Sequence, residues 1–409
     1  MGVDGRTRSD GTARVVDAQA FFTRELPSAL ARTEDLLRPS VTSLSPPPLA
    51  VDVDGETWTL RADGGRVVID DGATEGARTL VLSGTQLSDL VDDQVTPMGW
   101  FASGALAGTA RLERLLDWWL VLRGALDGMA PHRAGDVVFR DPEGSPLDLS
   151  RGFRPDDDPA AMRTFLEEAG YLHLTGVFTA GEMVAVSADM DREAPGYTHG
   201  DGRSWWARTE DGEDRLVRMQ GFDERSEAVA ALVGDQRFLR LGDLTGDGHE
   251  WGGTGFNRIE ALVKPIGVVE GISDVPWHKD CSLGRHSYEC CSLTVGVSVT
   301  GADAGSGQLR VIAGSHRALV WPALLRDDLD LPVVDLPTAT GDVTVHLSCT
   351  LHMAQPPVER ERRVLYSSFR LPPRDAEAER AAEVRLRSIR EQASVTVSQP
   401  PAGVEPRGT

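Results

Sequence analysis

The sequence predicts an α+β protein in two parts: a C-terminal antiparallel jelly roll with flanking helices, preceded by a smaller α+β domain. Three observations carry this. Five short runs between Asn257 and Leu371 alternate apolar and polar residues with a period of two, as half-buried strands do. Four more such runs between Ala50 and Ser83 are separated by Asp-Gly and Gly-Gly turns, and a strongly apolar helical segment follows them. The length, 409 residues, exceeds what one hydrophobic core usually spans.

In order, residues 1–14 form a polar tail expected to be disordered, 15–128 the smaller domain, 129–158 a linker, 159–374 the jelly roll, and 375–409 a charged helix and loose tail. Val15 to Leu37 is an amphipathic helix that Pro27 should interrupt. Strands follow at Ala50–Val53, Thr57–Ala62, Arg66–Asp70 and Thr79–Ser83, then a helix over Leu87–Asp92 and a Gly-rich stretch from Gly99 to Gly108. Arg111–Leu126 holds Leu115, Leu116, Trp118, Trp119, Leu120 and Leu122, too many hydrophobes for one exposed side, so it is packed. Asp158 and Pro159 are an N-cap and first-turn pair for a helix that should stop at Gly170. Thr179 and Glu182 form a capping box for a second helix to about Met190. The strands of the second part are Asn257–Pro265, Leu293–Thr300, Gln308–Ala313, Asp342–Leu347 and Arg363–Leu371.

The chemistry is concentrated near the third quarter of the chain. His278 and Asp280 stand two apart, so on an extended segment an imidazole and a carboxylate project from one face. His352 follows just beyond a strand and supplies a third donor. Two histidines and a carboxylate with open positions form the facial triad of non-haem Fe(II) oxygenases. Arg363, on a strand where it shares a face with Leu365, Ser367 and Phe369 while Arg362 points the other way, offers a guanidinium fork for the carboxylate of a 2-oxo acid cosubstrate. The chain's two lysines, Lys264 and Lys279, both lie beside this motif. Either the composition favours arginine everywhere, or an ammonium is wanted there for a cosubstrate or substrate carboxylate.

Trp277-His278-Lys279-Asp280, Gly307 to His316, Gly341 to His346, His352 and Arg363, with the opening segment 165–178, resemble the phytanoyl-CoA dioxygenase family of Fe(II)- and 2-oxoglutarate-dependent oxygenases over roughly residues 150–372. The resemblance implies a cupin-like double-stranded β-helix. It implies iron held by His278, Asp280 and His352, 2-oxoglutarate gripped by Arg363 with Lys279 nearby, and consumption of O2 with release of succinate and CO2. By the family's spacing His352 rather than His346 is the distal ligand, and His316 is structural. His199 and His286 match no motif. Two positions depart from the family: Ala354 and Pro357 stand where Ser and Asn are common, so either another hydroxyl, with Thr294 as the candidate, contacts the cosubstrate, or cosubstrate binding differs. Retention of Asp280 disfavours a halogenase, whose iron needs room for halide. Hydroxylation is the default outcome; desaturation, cyclisation or epimerisation use the same ligands. Acyl-CoAs, amino acids and natural-product scaffolds all occur as substrates in the resembling family.

Over residues 15–128 the helix, sheet, helix order and the stretch Ala102 to Leu116 resemble the sterol-carrier-protein-2-like fold, which implies an apolar ligand in the smaller domain. The alternative function is therefore a carrier for an apolar molecule, with the oxygenase part vestigial.

The net charge of −21 argues against nucleic-acid and anionic-membrane partners, which demand a basic face. Cys281, Cys290, Cys291 and Cys349 show no metal spacing and no ladder of pairs, so reduced thiols are expected. The first residues carry no apolar signal region and no long apolar run occurs, so the expected location is cytoplasmic with no membrane insertion.

Overall fold

A computed structural model describes residues 14–93, 95–102, 104–252, 258–271, 273, 276–281, 292–371 and 377. Nearly all of the expected N-terminal tail, the expected C-terminal helix and tail, His286, Cys290 and Cys291 lie outside the described residues.

The first helical run comprises Ala18–Ala20, a π turn at Phe21–Glu25, and Leu26–Leu44. The regular α-helix is interrupted near Pro27, as expected, by the π turn rather than by a break in the helical run. The Leu26 amide bonds to the Phe21 carbonyl five residues back, so the chain is widened just before Pro27, where a regular turn would press the proline ring against a carbonyl. Strands β1 (Leu49–Val53), β2 (Glu56–Asp63), β3 (Arg66–Asp71), β4 (Arg78–Leu82) and β5 (Ala107–Gly108) pair in the order β3-β2-β1-β4-β5, with β1 and β4 parallel. The helices Gly84–Val91, Pro97–Ala102 and Leu112–Asp127 complete this part. Trp118 and Trp119 belong to its core, and the Trp118 indole donates to the Pro47 carbonyl at 2.8 Å. The core encloses an apolar cavity lined by Phe22, Leu60, Leu87, Trp118 and Trp119, among others, with a volume of about 30 Å³.

The second part holds β6 (Tyr171–Leu174), β7 (Ser204–Thr209), β8 (Asp214–Gln220), β9 (Glu250–Trp251), β10 (Ile259–Lys264), β11 (Val268–Glu270), β12 (Leu293–Ser298), β13 (Leu309–Ile312), β14 (Val333–Leu336), β15 (Val343–Leu347), β16 (His352–Ala354) and β17 (Arg362–Arg370). Eight of these run in the order β11-β7-β8-β10-β17-β12-β15-β6, with β9 joined to β17, and β14-β13-β16 form a second, smaller sheet. The pairings are antiparallel. This mixed α+β arrangement with two antiparallel sheets is consistent with a cupin-like jelly roll. Strands β14 and β16, four and three residues long, are too short to announce themselves by periodicity.

Both helix ends read from sequence are present. Pro159–Ala169 starts with Asp158 accepting from the Ala160 amide and stops at Gly170 with φ +86°. Ala180–Glu193 starts with a reciprocal Thr179/Glu182 capping box. These helices and Gln236–Leu239 cover one face of the large sheet, where Phe238 meets Phe369 at 5.3 Å between ring centroids. On that face Leu293, Val295, Val297, Val343, Val345, Leu365 and Phe369 are buried. Each contributes about 1.5–3 kcal/mol by leaving water.

The turn into β15 is held by Gly341 at φ +88°; a Cβ there would lie 2.0 Å from the Phe178 carbonyl oxygen. Gly341→Ala is therefore expected to cost at least about 3 kcal/mol, read as a lowered urea midpoint.

Candidate metal centre

The small sheet carries one of the three sequence-predicted donors, His352 on β16, and a second, His278, bridges to it. His278 and His352 are directly paired: the His278 amide donates to the His352 carbonyl at 3.1 Å and the His352 amide to the His278 carbonyl at 3.0 Å. Their imidazoles lie side by side, 4.3 Å between centroids. Each Nδ1 faces a backbone carbonyl, Pro276 O at 2.7 Å and Thr350 O at 2.9 Å. A carbonyl only accepts, so Nδ1 carries the proton and each Nε2 presents a lone pair, the tautomer a metal ligand needs. Both Nε2 atoms point at Asp280 Oδ1, from 3.2 Å for His278 and 3.5 Å for His352. One ligand atom from each of the three residues lies within 4.8 Å of the others.

Burial pushes the Asp280 carboxyl up, but the imidazoles of His352, His278 and His346 outweigh it and hold it well below the usual carboxylate range. His352 is held well below the ordinary imidazole range by burial first and by His346 next. An ionised carboxylate beside an unprotonated imidazole is the state that accepts a divalent metal without first losing a proton.

The large sheet supplies the opposite wall. Thr294 on β12 pairs with His346 on β15, and residues opposite each other in a ladder share a face. The Thr294 hydroxyl donates to Asp280 Oδ2 at 2.8 Å, and His346 Nε2 lies 3.6 Å from the same oxygen. Thr294, read as a cosubstrate contact, thus spends its proton on Asp280. His346, set aside as a ligand, is brought beside the triad: it is 1% exposed, and both its ring nitrogens lack a hydrogen-bond partner among the described residues.

Following the ladder from Thr294 to its partner Ser368 places Tyr366, Val364 and Arg362 on the metal-facing side of β17. Arg363 is on the other side. Its guanidinium bonds the Ser187 carbonyl and hydroxyl and pairs with Asp191 at 2.8 Å, both on the helix Ala180–Glu193. The structure therefore does not bring Arg363 to the triad. The strand alternation read from sequence is right, but the side carrying Leu365 and Phe369 is packed under helices. Arg362 takes the inward position, 3% exposed, with Nε and Nη2 lacking a hydrogen-bond partner among the described residues. Lys264 stands directly across from it on β10, buried, with Nζ donating to the Ser273 carbonyl.

Lys279 is not at the site either. Lying between two inward residues, it points away, fully buried, and its ammonium donates to the Ser315 carbonyl at 2.9 Å. His316 is structural as expected: its Nε2 meets the Glu167 carbonyl at 2.9 Å, and burial lowers its pKa to about 4. His199 stacks on Trp206 instead.

One support is invisible in the motifs. The segment 318–326 straps the His-x-Asp turn: the Lys279 amide donates to the Pro322 carbonyl and the Leu324 amide to the Trp277 carbonyl, both at 2.9 Å. Its far side docks on the N-terminal helix Leu112–Asp127, where Arg326 pairs with Asp117 at 3.2 Å and Leu319 packs on Leu120. Burial raises the Asp117 pKa against the pull of Arg326 and Arg114. Asp117→Ala is expected to cost about 1–3 kcal/mol in urea unfolding and to weaken Fe(II) binding, although Asp117 touches no ligand. Unchanged binding would show that the strap keeps its shape without the N-terminal helix.

The decisive comparison is with sequence families. Residues 166–363 match the phytanoyl-CoA dioxygenase (PhyH) model. This PhyH segment, just under half of the chain, begins in the helix Pro159–Ala169 and ends on β17, so it spans the triad and both sheets. No curated protein matches the chain. Among solved structures, AviO1 from Streptomyces viridochromogenes Tue57 is 21% identical, with 53% of this chain and 96% of that one covered and a TM-score of 0.41. EctD from S. alaskensis, also solved with 2-oxoglutarate and 5-hydroxyectoine, is 18% identical with a TM-score of 0.43, covering 58% and 84%. The epimerase SnoN from nogalamycin biosynthesis, in complex with Fe3+, alpha ketoglutarate and nogalamycin RO, is 19% identical with a TM-score of 0.40, covering 54% and 90%. Among the described residues no helix is long and apolar enough to cross a membrane.

Proposed function

We propose that the chain is an Fe(II)- and 2-oxoglutarate-dependent oxygenase acting on a small molecule, with hydroxylation of an unactivated C–H as the default outcome. The observation that carries this is the pairing of two features in the PhyH segment. Two imidazole Nε2 atoms and a carboxylate converge on one point, and among the described residues a buried guanidinium with unpartnered nitrogens lines the same interior. An unpaired buried cation is costly enough that such an arginine implies an anionic ligand.

The donor set fits ferrous iron, and His278, Asp280 and His352 would hold it. When bound, iron with 2-oxoglutarate supplies the oxidising equivalent from O2, releasing succinate and CO2. This chain's residues do the rest. Thr294 and His346 flank Asp280 Oδ2, which leaves Oδ1 as the single oxygen offered to the metal. Arg362, with Lys264 opposite, receives the distal carboxylate of the cosubstrate; Arg363 instead ties β17 to its covering helix. Three protein donors leave room for a chelating 2-oxo acid and oxygen.

Further along the same face lie Arg218, stacked over Trp205 at 4.0 Å and paired with Glu260 at 3.1 Å, and Gln220, which donates to Glu260 at 3.0 Å. This half-buried polar wall suits a substrate with hydrogen-bonding groups. The carrier reading finds less support: about 30 Å³ in the N-terminal core holds a water or two, whereas small-molecule sites measure about 300–1,000 Å³.

The test is anaerobic addition of Fe(II) and 2-oxoglutarate to the apo-protein, following the visible metal-to-ligand charge-transfer band. A saturable band supports the oxygenase reading. Absence of iron binding would overturn it and favour the carrier.

A further inference from the structure

Cys281 directly follows the proposed ligand Asp280, and Cys349 lies three residues before His352. Their sulfurs are 2.8 Å apart, well inside ordinary van der Waals contact for unbonded sulfurs. The main chains already run together there: the Cys281 amide donates to the Ser348 carbonyl at 3.4 Å, and the Cys281 thiol to the same oxygen at 3.2 Å. Joining the sulfurs at the covalent distance of about 2.05 Å requires them to close by less than an ångström. Cys281 is half-buried and Cys349 fully buried, so an oxidant in solution meets one thiol of the pair first.

We propose that Cys281 and Cys349 form a dithiol that hydroperoxides convert to a disulfide, stapling the segment bearing Asp280 to the loop leading into His352. Cys281 sulfur attacks the peroxide O–O bond, giving a sulfenic acid and releasing the alcohol, or water when the oxidant is hydrogen peroxide. Cys349 sulfur then attacks that sulfur; the S–S bond forms, the S–O bond breaks and water leaves. The two thiols lose two electrons and the peroxide gains them. The cross-link stands on the sulfur geometry alone; its effect on the metal rests on the oxygenase reading. Because Asp280 and His352 sit on the two joined segments, the oxidised form releases metal more slowly.

The experiment uses the full chain. Metal-free protein is treated with hydrogen peroxide, blocked with N-ethylmaleimide, digested without reduction and mapped by mass spectrometry. The expected product is the Cys281 and Cys349 peptides joined, two hydrogens lighter than their sum, restored to alkylatable thiols by dithiothreitol and absent in Cys281→Ser and Cys349→Ser. Both thiols still alkylated after peroxide, or Cys281 joined to Cys290 or Cys291 instead, would overturn the pairing. Each form is then loaded with Fe(II) and transferred to a chelator. Iron loss from the oxidised form is expected to be at least about fivefold slower; an equal or faster rate refutes the staple while leaving the pairing intact. Failure of the reduced form to take up iron would count against the oxygenase reading, failure of the oxidised form alone refutes the staple, and the peptide map is read without metal.

Discussion

Asp280→Ala is expected to abolish Fe(II) binding at concentrations that saturate the wild type, a loss of more than about 100-fold, and with it the charge-transfer band. The effect is large because Asp280 is the hub of the site. Its Oδ1 faces the imidazoles of His278 and His352, and its Oδ2 faces Thr294 and His346. Without the carboxylate, a dication would meet no anionic donor from the triad in a low-dielectric interior. His346→Phe separates ligand from positioning residue. It leaves all three donors in place, so a weaker but saturable band is expected, with Fe(II) affinity down by about 10-fold. If His346→Phe removes iron binding as completely as Asp280→Ala, His346 is itself a ligand and the triad assignment fails.

Arg362→Met and Arg363→Met should behave in opposite ways. Arg362→Met is expected to raise the 2-oxoglutarate concentration needed for half the band by about 10- to 100-fold, the worth of a charge-assisted hydrogen bond in a buried site. Iron binding without cosubstrate should be unaffected. Arg363→Met removes contacts to Ser187 and to the largely exposed Asp191, so a stability loss of about 1 kcal/mol or less is expected, with cosubstrate titration unchanged. The reverse pattern would mean that β17 presents its other face to the metal.

The two arginines mark the boundary between what could be read locally and what could not. Strand alternation, helix caps at Asp158 and Thr179 and the stop at Gly170 depend on neighbours within a few residues, and each was legible in the amino-acid order. So was the His278, Asp280 and His352 set, because the i, i+2 geometry of an extended segment aligns the first two and the ordered motifs around His352 mark the third. The π turn before Pro27 was hidden because backbone can widen locally to keep a buried helix intact. Lys279 looked functional by proximity, yet a neighbour of an inward residue points outward, and its ammonium caps carbonyls far along the chain. The strap 318–326 and its anchor at Asp117 join residues about two hundred positions apart, a distance over which no local pattern speaks.

By itself, then, the sequence determined the periods of the strands, the ends of the helices and the chemical identity of the candidate metal donors, since these follow from backbone geometry and side-chain type. Which face of β17 looks inward was decided only by the tertiary structure. A period of two defines two faces without naming them, and the choice was made by the helices that cover one side and by the ladder that carries Thr294, His346 and Arg362 on the other.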